Sequence, residues 1–97
     1  MNSSSFELFD VFILKTLNSV VLNGQIKDGE VNQGMFVKTW VDSELYMVAE
    51  ISRVEFIDGP ENSSAVGLVL DTPEQEVQKL WLELCKKGDI LIIETNN

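Results

Sequence analysis

The 97-residue chain has no histidine, one cysteine, one arginine and two prolines. Without histidine it lacks the commonest general base and the commonest metal ligand. A single cysteine forms no intrachain disulfide, and there is no Cys/His cluster at zinc-ligand spacing. No G-x-x-x-x-G-K-S/T run is available to cradle a nucleotide phosphate. The longest unbroken apolar runs are four or five residues, against about 20 for a membrane-spanning helix. The opening Met1-Asn2-Ser3-Ser4-Ser5 has neither the basic nor the apolar portion of a signal peptide. These absences predict a soluble cytoplasmic non-enzyme with no catalytic residues, no cofactor and no metal. The N-x-S matches at Asn2 and Asn62 then read as chance.

Positive charge is also scarce. Sixteen carboxylates face seven basic residues, a net charge of −9. Nucleic-acid binding relies on Lys and Arg neutralising phosphates, so that partner class is disfavoured, as are anionic membrane surfaces. The acids are scattered along the chain, which suits plain solubility. The same field would attract a basic protein partner.

The hydrophobic share is 44%, ordinary for a globular protein, and the length suits one domain. Residues 1–5 and 95–97 read as polar tails around a domain at 6–94. Glycines at 24, 29 and 34 punctuate short apolar segments. Helices do not carry such a beat, because each interior glycine costs about 1 kcal/mol, whereas tight turns use the positive φ that glycine supplies. Phe6 to Leu14 is apolar on both parities, so it is either a strand covered on both sides or one bent by a bulge near Asp10. Val20, Leu22, Gly24 and Ile26 share a face, with Gly24 marking a bend or a close backbone contact. Asp28-Gly29 is a hairpin signal, Asn32-Gln33-Gly34 is a second turn, and a further short strand is allowed around Val31. Met35 to Val41 follows as a strand, and Asp42-Ser43-Glu44 turns the chain again. In Leu45 to Ile57 the apolar parity switches between Ile51 and Val54, which predicts a bulge near Ser52-Arg53. Residues 58–64 read as a loop, and Ala65 to Leu70 as a buried strand.

The period then changes. Thr72-Pro73-Glu74-Gln75 reads as a capping box with proline at the first helical position. Val77, Leu80, Trp81 and Leu84 form one apolar stripe, with Lys86 and Lys87 at the far end and Gly88 as a left-handed stop. The spacing predicts a helix over about 73–87, then a last strand at Ile90-Leu91-Ile92-Ile93. The expected fold is mainly β: a small closed or partly open antiparallel barrel, ordered β-β-β-β-β-α-β, with one helix before the last strand.

Asp10-Val11-Phe12, Val20-Val21-Leu22-Asn23-Gly24-Gln25-Ile26 and the following Gly29, Val31 and Gly34 resemble the second domain of the translational GTPases related to elongation factor Tu. Val66-Gly67-Leu68-Val69-Leu70 and Gly88-Asp89-Ile90-Leu91 resemble later segments of that barrel, so the likeness runs from Phe6 to Ile93. It implies a β-barrel that helps hold the aminoacyl end of transfer RNA or contacts the ribosome. Gln25 and Lys87 stand where that family usually has arginine, the helix replaces a shorter crossing, and no GTPase domain is present to confer hydrolysis.

Residue by residue, Cys85 reads as a small packed hydrophobe, the alternative being a thiolate favoured by Lys86 and Lys87. The pairs Asp28/Glu30 and Asp58/Glu61 flank glycines and read as solvated turns, well short of a calcium loop. Arg53 sits between Glu50 and Glu55 and is expected in an ion pair, or as a clamp on a carboxylate ligand. Phe36, Trp40 and Tyr46 flank one hairpin and form either a contact surface or barrel packing; with Arg53 they are the candidate interaction residues. If two such faces meet, a homodimer results. The reading is an acidic barrel that binds a protein. Its rivals are an inhibitor or immunity-type protein that occupies the basic cleft of a nuclease or toxin, and a small-molecule-binding barrel or carboxylate-based enzyme with Asp10 or Glu50 pointing inward.

Overall fold

The computed structural model describes residues 3–16, 18–40, 46–58 and 64–95. Six strands and one helix follow in the expected order: β1 (Ser3–Leu14), β2 (Ser19–Asp28), β3 (Phe36–Trp40), β4 (Tyr46–Asp58), β5 (Ser64–Leu70), α1 (Gln75–Leu84) and β6 (Ile90–Glu94). The strands form a closed barrel in the order β1-β2-β5-β4-β3-β6, with every neighbouring pair antiparallel. Closure removes the sheet edges that would otherwise template aggregation.

Alternation decides which side chains fill the barrel. Phe6, Leu8, Val20, Leu22, Val37, Ile51, Leu68, Leu70 and Ile93 are buried inside it. Both expected bulges are present. The β1–β2 register shifts between Leu8 and Asp10, so the inward parity passes from Phe6 and Leu8 to Val11, and Phe12 points out. The shape is therefore a bent strand, and Phe12 is exposed on the outer wall rather than covered. Asp10 is exposed, and its Oδ1 accepts the Val11 N–H at 2.9 Å. The β4–β5 register shifts between Ile51 and Arg53, and the extra residue, Ser52, donates its hydroxyl to the Val69 carbonyl at 3.1 Å. Gly24 is a close-contact glycine, since a Cβ there would lie 2.1 Å from the Glu7 carbonyl oxygen.

Several local expectations are corrected. Asp28-Gly29 does not close a hairpin: β2 pairs with β1 and β5, and β3 with β4 and β6. Gly29 does take a positive φ of 79°, but residues 29–35 cross from one part of the barrel to another, with Val31 and Met35 buried in the core and no strand at Val31. Ser3 to Ser5, expected in a tail, are ladder residues paired with β6, and the Ser4 hydroxyl donates to the Glu30 carbonyl at 2.5 Å. The expected turn at Asp42-Ser43-Glu44 and most of the loop at 58–64 lie outside the described residues.

The helix is shorter than its sequence signals, and Thr72 is not its cap. Glu74 holds the N-cap position with extended backbone and makes no side-chain cap bond. Thr72 serves the barrel instead, its Oγ1 accepting the buried Val20 N–H at 3.0 Å and donating to the Leu70 carbonyl at 3.2 Å. A buried N–H left without a partner costs about 1–3 kcal/mol, more than a cap contributes at an exposed helix end. The chain leaves the helix at Cys85, before Lys86 and Lys87, and Gly88 (φ 95°) belongs to the turn from Lys86 to Asp89. That turn extends the β1–β6 seam, because Gly88 N–H donates to the Leu8 carbonyl at 2.7 Å and Leu8 N–H to the Asp89 carbonyl at 2.9 Å. The stripe is corrected too: α1 packs on β1 and β2 through Gln78, Trp81 and Cys85, with Val77 beside them, while Leu80 and Leu84 stay partly exposed.

Candidate functional site

The interior of the barrel is filled by apolar side chains, so a binding surface has to be sought outside it. Phe36, Lys38 and Trp40 share the outward parity of β3, whereas Val37 is buried inside. The parity containing a lysine thus does face solvent, and Trp40 is 66% exposed. Pairing with β6 places Lys38 opposite Ile92 and Phe36 opposite Glu94. Ile90 and Ile92, the outward residues of β6, are 54% and 43% exposed. Trp40 and Ile92 line a depression of about 150 Å³ with Lys38 and Glu94. Lys38 Nζ lies 2.7 Å from Glu94 Oε1, fixing the polar end of this patch.

The four sequence candidates are only partly brought together. Phe36 and Trp40 share the outer wall, and Tyr46 is the cross-strand partner of Trp40. Arg53 is elsewhere. Its Nη2 pairs with Glu55 Oε1 at 2.5 Å, and it borders a separate groove of about 120 Å³ with Phe12, Leu14, Val21 and Val69. Ile90 and Ile92 escaped the sequence reading because an all-apolar strand gives no sign of which parity lies outside. The signal that could have found them is the β3–β6 pairing, which no local pattern encodes.

The remaining reactive groups are accounted for structurally. Cys85 is buried, and its thiol is pushed from the ordinary 9.0 up to about 11, first by burial and then by the Asp89 carboxylate. It is a core residue, and Lys86 and Lys87 do not make it a thiolate at neutral pH. Asp10, Glu50, Asp28 and Glu30 are exposed. Among the described residues no group of three or more His, Cys, Asp or Glu is placed to hold a metal ion, and no helix is long and apolar enough to cross a membrane. Two buried polar atoms, Asn23 Oδ1 and Trp81 Nε1, have no hydrogen-bond partner.

A closed six-stranded barrel does not by itself identify a translation-factor domain. No protein-family model, no curated protein and no solved structure matches the chain.

Proposed function

We propose that the protein is a non-enzymatic, cytoplasmic binding module that seats a protein partner on the outer wall where β3 meets β6. The observation that carries this reading is Trp40, a large aromatic standing exposed beside Ile92, with Ile90 exposed on the same strand as Ile92. Exposed tryptophan is expensive to leave wet and is enriched among the few residues that supply most interface energy. Contiguous apolar surface of this kind on a polar molecule marks an interaction site. The test is quantitative affinity capture with the wild-type chain, Trp40→Ala and Ile92→Thr. Loss of the captured partner in both variants, with thermal unfolding shifted by no more than about 0.5 kcal/mol for Trp40→Ala, supports the reading. Undiminished capture by Trp40→Ala overturns it.

A second reading is favoured by the net charge of −9 and by Asp28 and Glu30, which stand exposed at the Gly29 end with no described ion pair. In it, the chain is a stoichiometric inhibitor that docks by charge into the basic cleft of a nuclease or toxin. The partner's isoelectric point and the salt dependence of capture separate the two.

A further inference from the structure

We propose that the cavity between the end of β1 and the first turns of α1 binds a small oxyanion that also carries a hydroxyl donor, either a hydroxycarboxylate or a protonated phosphate. The cavity measures about 410 Å³ and is lined by Ile13, Lys15, Asn18, Gln75, Gln78 and Lys79. Among the described residues it therefore presents two lysines and no carboxylate. The described ion pairs join Lys27 to Glu7, Lys38 to Glu94 and Arg53 to Glu55, so neither Lys15 nor Lys79 has one. In a chain where acids outnumber bases sixteen to seven, two ammonium groups on one cavity without an acid are held against the prevailing composition. An anion in the cavity is attracted by both and accepts charge-assisted hydrogen bonds from them. Glu74 and Glu76 lie on the same helical turn but do not line the cavity.

Gln78 gives the site its second specification. It is only 4% exposed, yet it lines the cavity. Its Nε2 donates to Asn18 Oδ1 at 2.8 Å and to the Thr72 carbonyl at 2.7 Å, while Asn18 Nδ2 donates to the Pro73 carbonyl at 2.8 Å. Because both backbone partners are carbonyls, each amide has one possible orientation. Gln78 Oε1 is then the amide's remaining polar atom, and no described hydrogen bond reaches it. Gln78 Oε1 is not among the fully buried unpartnered atoms, so it is open to solvent. A bare anion such as acetate would satisfy the lysines and leave this oxygen to water. A ligand with an adjacent O–H satisfies both.

The experiment is an amide-resolved NMR titration with inorganic phosphate and, separately, with lactate, each at constant ionic strength. Three proteins are compared: wild type, Lys15→Gln/Lys79→Gln, and Lys86→Gln/Lys87→Gln. The last pair carries the same change in charge and does not line the cavity. The proposal expects saturable shifts at Asn18, Gln75 and the Gln78 side-chain amide in wild type. The midpoint should weaken at least about tenfold in Lys15→Gln/Lys79→Gln and by less than about twofold in Lys86→Gln/Lys87→Gln. The arm that saturates at lower concentration assigns the anion class. Absence of saturable shifts with both ligands up to about 50 mM, or equal weakening in the two double variants, overturns it.

Discussion

At Gly24 a methyl group would lie 2.1 Å from the Glu7 carbonyl oxygen and 2.8 and 2.9 Å from the Phe6 ring. One of these obstacles is backbone and the other is a core aromatic, so neither yields without moving a strand. Gly34 is the opposite case: nothing lies within 4 Å of a Cβ there, but its φ is 93°. At Gly67 a Cβ would meet only ordinary contacts, 3.8 Å from Val21 and 3.9 Å from the Glu55 carbonyl. Chemical denaturation should therefore rank three alanine substitutions. Gly24→Ala should cost about 3 kcal/mol or more, Gly34→Ala about 1 kcal/mol, and Gly67→Ala within about 0.5 kcal/mol of zero. Cys85 gives a second prediction at this scale. Its thiol holds its proton more tightly when folded, so between about pH 9 and 11 the folded state binds more protons than the unfolded one. Stability from this group is complete below pH 9 and declines as pH rises through about 11. Lysines titrate in the same range, so the quantity to measure is the difference between wild type and Cys85→Ala, whose stability gap should narrow across that window.

Among the elements, α1 shows how a local signal can be outbid. Thr72 has the side chain of a helix cap, but its hydroxyl is spent on Val20 and Leu70 inside the barrel, and Glu74 is left at the N-cap without a side-chain bond. Two substitutions should move stability in opposite directions. Thr72→Val strands the buried Val20 N–H and should cost about 1–3 kcal/mol. Glu74→Ser supplies the missing cap and should add about 0.5–1 kcal/mol, both read as shifts in urea midpoint at unchanged slope. The strands were legible from composition: alternation at Val20, Leu22 and Ile26, the parity switch after Ile51 and the apolar block at 65–70 each found its element. What alternation cannot carry is who pairs with whom. Asp28-Gly29 has the composition of a two-residue hairpin, yet its flanking strands lie on different sides of the barrel. The barrel closes because β6, last in sequence, inserts between β1 and β3. The site followed the same division. Trp40 was readable as an outward candidate because it shares parity with Lys38, whereas Ile90 and Ile92 became surface residues only through that long-range insertion.

For the whole molecule the deciding quantity is how the charge of −9 acts on a partner. Long-range steering is screened beyond about 8 Å at physiological ionic strength, whereas desolvation of an aromatic and two isoleucines is nearly indifferent to salt. If the partner docks on Trp40, Ile90 and Ile92, its dissociation constant should change by less than about twofold between roughly 0.05 and 0.5 M sodium chloride. Trp40→Ala should then abolish capture at every salt concentration, and Asp28→Asn/Glu30→Gln should leave it intact. If the chain acts as a charged decoy for a basic cleft, affinity should fall at least about tenfold over the same range, chiefly through a slower association rate. Asp28→Asn/Glu30→Gln should then weaken binding at low salt, and Trp40→Ala should have little effect. Biolayer interferometry on the captured partner measures both rate constants. A salt-independent affinity lost with Trp40 establishes the aromatic wall as the binding surface, and a steep salt slope indifferent to Trp40 removes it.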